Sequence, residues 1–336
     1  MRMREVNKIS NVLSLFSQKD GIAYKTDDSL VIKGKNISLK KDEYVSENNH
    51  IIYKTNKSIG ELYVYENGEF SIRNKNGFTA ANFFFDVDNY VALKLDLENK
   101  SSLYYVKVND FENIFKINGI YSICYFDTKN VILCNLNRTE VLSVNTKGAM
   151  SWQFNIPEGF KIFGDMQIMG NILFIDTHKN VNEAKILYGL DISTGKTVWE
   201  LHYQIPYDTN FAAYNFNKEN NLGYGFGGKF YQVFNPSNGK MLLTKDMSEY
   251  YKQGVSPNPL DNSIADGRLW FISGEGKYSD RNTKFGAINL ETSEMDFIQD
   301  FSLDKGGMPD KPVFCNGKLY LLDKWNKVLH VFEETK

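Results

Sequence analysis

The sequence predicts an all-β protein, a β-propeller of four-stranded antiparallel blades, and two features of the chain carry this prediction. Its 24 Phe and 20 Tyr residues favour strands. A two-residue turn also precedes a β-rich run again and again, mostly at intervals of about 40 to 50 residues, the period of four-stranded blades. These turns are Asp20-Gly21, Asn48-Asn49, Asp88-Asn89, Lys129-Asn130, Gly170-Asn171, Asn220-Asn221, Asp266-Gly267 and Asn316-Gly317. They favour eight blades, with seven as the alternative.

The hairpin in residues 185–204 is the clearest repeat unit. A short apolar run leads into a turn that contains Asp191, Thr194 and Gly195, and Trp199 stands in the returning run. Two strand-like runs joined by a tight turn with glycine predict a β-hairpin.

Weaker copies of this hairpin occur elsewhere in the chain. Trp152 follows Gly148 at the same spacing, and Gly239 closes a further turn after which Leu243 replaces the Trp. The spacing D-x-x-T-G-K-x-x-W resembles the repeat of the PQQ-like (quinoprotein-type) β-propellers. The resemblance implies that the Asp and Thr bond turn amides, the Gly takes a positive φ, and the Trp packs between adjacent blades. The PQQ-like family also includes a lipoprotein scaffold of the outer-membrane assembly machine. We therefore expect this chain to belong to the non-enzymatic scaffold branch of the family.

The repeats run from end to end, so the sequence predicts a single domain over residues 1–336. The predicted blades cover about 11–42, 43–77, 78–119, 120–156, 157–204, 210–248, 254–302 and 310–336. The last interval holds only three strands, and residues 1–10 look like a strand without a hairpin of its own. We therefore expect the N-terminal strand to complete the last sheet, which removes open sheet edges.

Composition limits the partners and the compartment. A net charge of −2 argues against a nucleic-acid binder. No apolar run approaches the roughly 20 residues of a spanning helix, so we expect no membrane partner. The start of the chain lacks a signal-peptide core, and three cysteines fit a reducing compartment, which predicts a cytoplasmic bacterial protein. We interpret Cys124 and Cys134 as small buried thiols on neighbouring strands rather than as a disulfide.

The chain carries no pattern that predicts catalysis. Quinoprotein dehydrogenases have an adjacent Cys-Cys pair and a Trp floor, and this sequence has neither feature. Its four His residues are far apart in sequence, without His-x-x-x-His or Cys-x-x-Cys spacing. A G-x-S-x-G nucleophile motif is also missing. We therefore predict that the protein is not an enzyme and that it uses no cofactor and no metal.

Function is predicted from the loops. Longer excursions in the second half carry residue types that are enriched at protein interfaces. The candidates are Tyr207, Tyr250, Tyr251, Tyr278 and Arg281, although these aromatic side chains could equally fold back onto their own blades. The leading hypothesis is a non-catalytic scaffold that binds another protein, and its specific version is an immunity or antitoxin-like protein that neutralises a toxin. The alternative is an enzyme or a small-molecule or carbohydrate-binding propeller that uses the central channel.

Overall fold

The computed structural model describes residues 2–18, 21–179, 184–204, 209–274, 283–301, 303 and 307–335. Nearly all regular structure in them is β, and the blades are numbered here in chain order. Blade 1 holds β2 (Ser14–Gln18), β3 (Gly21–Lys25), β4 (Ser29–Ile32) and β5 (Lys35–Ser38). Blade 2 holds β6 (Glu43–Asn48), β7 (Ile51–Asn56), β8 (Glu61–Glu66) and β9 (Glu69–Asn74). Blade 3 holds β10 (Ala81–Phe84), β11 (Tyr90–Asp96), β12 (Ser101–Val108) and β13 (Phe111–Asn118).

The next three blades follow the same order. Blade 4 holds β14 (Tyr121–Phe126), β15 (Asn130–Asn135), β16 (Glu140–Asn145) and β17 (Met150–Asn155). Blade 5 holds β18 (Lys161–Ile162), β19 (Gln167–Met169), β20 (Ile172–Lys179), β21 (Ala184–Asp191) and β22 (Thr197–Gln204), and both β18 and β19 pair with β20. Blade 6 holds β23 (Thr209–Asn217), β24 (Leu222–Gly228), β25 (Phe230–Asn235) and β26 (Lys240–Asp246).

The last two blades complete the set. A short helix, α1 (Ser248–Lys252), precedes blade 7, which holds β27 (Pro257–Ala265), β28 (Arg268–Gly274), β29 (Thr283–Asn289) and β30 (Met295–Phe301). Blade 8 holds β31 (Val313–Cys315), β32 (Lys318–Asp323) and β33 (Val328–Glu334), and its fourth strand is β1 (Met3–Ser10).

The predicted fold class is confirmed: the chain is an all-β propeller of eight antiparallel blades. β1 pairs with β33 in the register Met3↔Glu334 to Ser10↔Val328, so the N-terminal strand completes the last sheet as expected. Met3 is buried, and its backbone N–H and C=O bond the side chain of Gln299 at 2.9 and 2.7 Å. The closing strand is thus held by a sheet ladder and by a core contact.

The contacts divide the chain into two compact units. Unit 1 comprises Met1–Leu39, Pro206–Pro236 and Lys240–Lys336, and unit 2 comprises Lys40–Ile205 and Ser237–Gly239. Blades 2 to 5 lie in unit 2, and the other blades belong to unit 1. The single-domain interpretation stays a prediction.

The core of each unit sits between consecutive blades. In unit 2, one cluster joins Val141 and Trp152 of blade 4 to Leu173 and Tyr188 of blade 5. Second and third strands, such as β15 and β16, are buried on both faces and therefore read as apolar runs. Fourth strands, such as β17, are exposed on one face and alternate in polarity.

An aromatic side chain on a fourth strand packs on the glycine turn of the next blade. A Cβ added to Gly195, at φ 68°, would lie 2.6 Å from the ring of Trp152. Trp152 Nε1 also donates a 2.9 Å hydrogen bond to the carbonyl of Ile192 in that turn. Trp199 covers Gly239, at φ 72°, in the same way, so glycine is required by both its backbone angle and the close approach.

The turn that Trp152 covers is tied together by Asp191. Its Oδ1 accepts hydrogen bonds from the backbone N–H of Ser193 and Thr194, at 3.1 and 2.8 Å, and from the Thr194 hydroxyl at 2.9 Å. These bonds, led by the one from the Thr194 side chain, lower the pKa of Asp191. The repeat residues therefore lie in turns and blade contacts.

Candidate functional site

Two of the predicted interface residues lie in the described structure. Tyr250 and Tyr251 are on α1 and pack, partly buried, against the core cluster of blades 6 and 7. The Tyr251 hydroxyl donates to the carbonyl of Gly228, and burial raises the pKa of Tyr251. Tyr207, Tyr278 and Arg281 lie outside the described residues. The structure therefore places the two tyrosines on their own blades, and their role in binding stays a prediction.

A buried ionic cluster in blade 5 was not predicted from the sequence. Lys185 Nζ lies 2.9 Å from Asp176 Oδ2, and His178 Nε2 lies 2.9 Å from Asp176 Oδ1. Phe163 stacks on the His178 ring at 4.3 Å. Because Lys185 and Asp176 form a buried ion pair, their pairing offsets part of the desolvation cost, and we interpret the cluster as structural.

Neither a metal cluster nor a membrane helix is found in the described part of the chain. No group of three or more His, Cys, Asp or Glu side chains there could hold a metal ion. No described helix is long and apolar enough to cross a membrane.

Three of the most exposed large apolar side chains in the described part of unit 2 lie at one kind of turn. We call the connection between the second and third strands of a blade its mid-blade turn: residues 57–60, 97–100 and 136–139 in blades 2, 3 and 4. These turns carry Ile59, Leu97 and Leu136, which are 60, 71 and 71% exposed. We call these three side chains the apolar rim.

Each of these turns is made rigid by an Asn or Asp that ends the preceding strand. Asn56 Oδ1 accepts from the backbone N–H of Ile59 at 3.3 Å, and Asp96 Oδ1 accepts from that of Asn99 at 3.1 Å. Asn135 Oδ1 accepts from the N–H of Thr139 at 2.8 Å. Side-chain bonds of this type hold a tight turn without a β ladder. The apolar side chains therefore project from fixed backbone.

The mid-blade turns are bonded to the segments that connect successive blades. The N–H of Gly77 donates to the carbonyl of Gly60 at 3.0 Å, and that of Gly119 to Lys100 at 2.8 Å. The N–H of Leu136 donates to Ile120 at 3.0 Å. Turns and connections thus form one rim of unit 2.

Each of the three mid-blade turns of blades 2, 3 and 4 also carries one exposed cation. These are Lys57, Lys100 and Arg138, while Glu98 is the single carboxylate in the three turns. The corresponding turn of blade 8 in unit 1, residues 324–327, has the same composition: Trp325 is 72% exposed, and Lys324 and Lys327 flank it. An Asn or Asp that ends the second strand, followed within four residues by an apolar residue and a cation in either order, is thus a sequence signal that could have located the rim.

A cavity of about 570 Å³ opens beside this rim, and we call it the inner cavity. Its wall includes Asn82 and Phe83 of β10 and Tyr125 of β14. Phe83 and Tyr125 pack edge to face, with ring centroids 5.8 Å apart. Asn82 is 8% exposed, and its Oδ1 has no hydrogen-bond partner among the described residues. An orphaned buried carbonyl is costly and calls for a donor from a ligand or solvent.

The inner cavity is also lined by sulfur. Cys124 of β14, Cys134 of β15 and Met166 contribute to its wall, together with Arg138 and Asp165. The Cys124 thiol donates to the carbonyl of Ser122 at 3.8 Å, and the Cys134 thiol donates to that of Asn135 at 3.4 Å. Interaction with the other thiol raises the pKa of Cys124 and lowers that of Cys134. Both cysteines are free thiols on neighbouring strands, as interpreted from the sequence, but only Cys134 is buried, and Cys124 is half-buried.

Comparison with known proteins identifies the fold. No protein-family model matches the chain, and no curated protein matches it in sequence. BamB from Moraxella catarrhalis is similar in structure, with a TM-score of 0.59 at 12% identity, over 100% of this chain and 98% of that one. Kluyveromyces lactis Hsv2 with its complete loop 6CD gives 0.51 at 8% identity, over 97% and 94% of the two chains. Apo AztD from Citrobacter koseri gives 0.50 at 11% identity, over 88% and 87%.

At these identities the likenesses show the propeller fold alone. Membership of the PQQ-like repeat family, and of its non-enzymatic branch, stays a prediction.

Proposed function

We propose that this chain is a non-catalytic scaffold that binds another protein through the apolar rim of unit 2. The observation that carries the proposal is the repetition: three consecutive mid-blade turns each present one exposed aliphatic side chain and one cation. Single exposed apolar residues are ordinary on a protein surface, whereas a series at equivalent positions indicates an interaction surface. Rigid turns suit this role because little conformational entropy is lost on binding.

The charges of the turns favour a partner surface of a particular chemistry. With Lys57, Lys100 and Arg138 beside the aliphatic side chains, the complementary segment carries apolar residues flanked by carboxylates. We expect the rim cations to raise the association rate, and the apolar contacts to slow dissociation.

A more specific form of the proposal makes the partner a toxin or effector that the scaffold neutralises in the bacterial cytoplasm. This form rests on the composition of the chain and on its lack of a predicted catalytic motif. Identification of the captured partner decides it: a protein whose toxicity is suppressed by this chain supports the form, and a partner without such activity contradicts it.

The proposal is tested by affinity capture with the wild type and with the double variant Leu97→Ser/Leu136→Ser. Each lost contact at an interface centre costs about 1 kcal/mol or more, so we expect the double variant to bind the captured partner at least about 30-fold more weakly. The affinity of the purified partner is then measured by calorimetry.

The matched control is Met150→Ser/Val198→Ser. These two side chains are 63 and 52% exposed on the fourth strands of blades 4 and 5, away from the mid-blade turns. We expect this control to bind like the wild type. Equal loss in both variants, or no loss in either, contradicts binding through the rim.

A second candidate function is the binding of a small polar ligand or carbohydrate in the inner cavity. The orphaned Oδ1 of Asn82 favours it, since a ligand N–H or O–H would supply the missing donor. Native mass spectrometry of the protein from its source cells would detect such a ligand, and Asn82→Leu should release it. Retention of the ligand in this variant contradicts the assignment.

A further inference from the structure

We infer that the inner cavity is a binding site for a soft monovalent metal cation, Cu⁺, held by the sulfur atoms of Cys124, Cys134 and Met166. All three residues line the same cavity of unit 2. None of these three residues belongs to the proposed protein-binding rim, although Leu136 and Arg138 of that rim also line the cavity.

The backbone explains how the two cysteines reach the same cavity wall. Ser122 pairs with Cys134 and Ile123 with Leu133, but the next pair is Tyr125 with Ile132, so Cys124 is the extra residue of a β-bulge. A bulge redirects the side chain of its extra residue and bends the strand. Cys124 thereby lines the same cavity as Cys134 on the neighbouring strand. The bulge therefore places both cysteines on the wall of one cavity.

The ligand set selects the kind of cation. Thiolate and thioether sulfur atoms are soft ligands that favour Cu⁺. A structural zinc site needs four nitrogen, oxygen or sulfur ligands, and the described residues contain no group of three or more His, Cys, Asp and Glu side chains that could supply them. Two thiolates and one thioether are too few for Zn²⁺, whereas Cu⁺ is satisfied by two or three sulfur ligands.

The charges around the cavity are compatible with this assignment. Two thiolates and one Cu⁺ leave a net charge of −1, and the guanidinium of Arg138 at the cavity wall offsets it. Binding displaces the two thiol protons to solvent, and neither the metal nor the sulfur changes oxidation state. Asp165 lines the same wall, so its negative charge offsets part of the positive charge of Arg138.

The test is an anaerobic titration of the reduced, metal-free full chain with Cu⁺ buffered by a chromogenic chelator. We expect the wild type to withdraw one Cu⁺ per chain, and Cys124→Ser/Cys134→Ser to withdraw none at the same chelator concentration. Met166→Leu keeps the volume of the side chain and removes its sulfur, so we expect affinity to fall by at least the roughly 10-fold that even indirect changes at metal sites cost.

The matched control is Cys315→Ser, which removes the third cysteine, located in β31 of unit 1. It should bind Cu⁺ like the wild type. An equal loss in this control, full binding by the double serine variant, or unchanged affinity in Met166→Leu overturns the assignment.

A second measurement keeps the inference testable if a variant fails to fold. X-ray absorption of the Cu⁺-loaded wild type should show sulfur as the sole neighbour of the metal. Nitrogen or oxygen ligands in the first coordination sphere would overturn the assignment of an all-sulfur site. Zn²⁺ in equal amount should leave Cu⁺ bound, and displacement by Zn²⁺ also contradicts it.

Discussion

Gly195 combines two requirements in one residue, and they can be separated experimentally. Its φ of 68° is strained for any other residue, and an added Cβ would lie 2.6 Å from the ring of Trp152. Gly170, at φ 58° in the same unit, has no atom within 4 Å of an added Cβ. Gly170→Ala therefore reports the backbone strain alone, about 1 to 2 kcal/mol. We expect Gly195→Ala to cost about 1 to 3 kcal/mol more, because the indole must move.

Chemical denaturation of the two variants checks this prediction. Equal losses of unfolding free energy in the two variants would show that the Trp152 ring moves aside at little cost. The aromatic contact between blades 4 and 5 would then contribute little to stability.

Asp191 gives the fold a dependence on pH whose sign follows from its hydrogen bonds. The turn amides and the Thr194 hydroxyl favour the carboxylate, so the folded pKa lies below the value of about 3.9 in the unfolded chain. The stabilisation is fully present above the unfolded pKa, and it is lost as pH falls through the folded pKa. We expect the wild type to exceed Asp191→Asn in unfolding free energy at neutral pH, with a gap that narrows as the pH falls below about 4.

Urea unfolding of both proteins across this range measures the gap. A constant difference at every pH would mean that the charge of Asp191 contributes nothing to the turn.

At the level of single residues, the sequence predicts turn chemistry better than exposure. Asp191, Thr194 and Gly195 stand at fixed offsets because their bonds are local, so their spacing is visible in the chain. The burial of Tyr250 and Tyr251 depends on how α1 packs against blades 6 and 7, and the residue types alone left both outcomes open. Leu97 and Leu136 look like core residues in sequence, since only the turn geometry exposes them.

β1 pairs with β33 and completes the sheet of blade 8, so we expect the stability of this blade to depend on β1. Met3 is 4% exposed in the core of blades 7 and 8, while Arg4 on the same strand is exposed. We expect Met3→Ala to lower the unfolding free energy by about 2 to 5 kcal/mol, and Arg4→Ala to stay within about 0.5 kcal/mol of the wild type. Thermal unfolding of the two variants measures the difference.

Deletion of residues 1–10 should have a larger effect, since it leaves β33 as an open edge with unpaired backbone groups. Aggregation on size-exclusion chromatography is the expected outcome. A monomeric deletion variant that melts like the wild type contradicts the role of β1.

Whole strands were predictable where turns bracket them. The missing fourth strand of blade 8 was inferred from counting, because every other predicted blade supplied its own. The bulge at Cys124 was not predictable, since it leaves the apolar pattern of β14 unchanged and appears only in the register with β15. The inner cavity was missed because its wall combines residues from several blades.

At the scale of the whole molecule, sequence periodicity is enough to predict the fold, but it says little about the binding surface. Eight copies of one supersecondary unit make the propeller fold visible in the chain. The surface is formed by turns that repeat in position and only loosely in sequence, as Ile59, Leu97 and Leu136 illustrate. The proposed scaffold role therefore depends on the structure for its location.

The central claim is that a partner protein contacts the mid-blade turns of unit 2. A photo-crosslinking residue placed at Leu97 or Leu136, in cells of the source organism, tests it most directly, with Val198 on β22 as the reference position. We predict one covalent adduct of the same mass from positions 97 and 136 and none from position 198. Adducts from position 198 alone, or none at 97 and 136 when the partner is captured, would contradict the account.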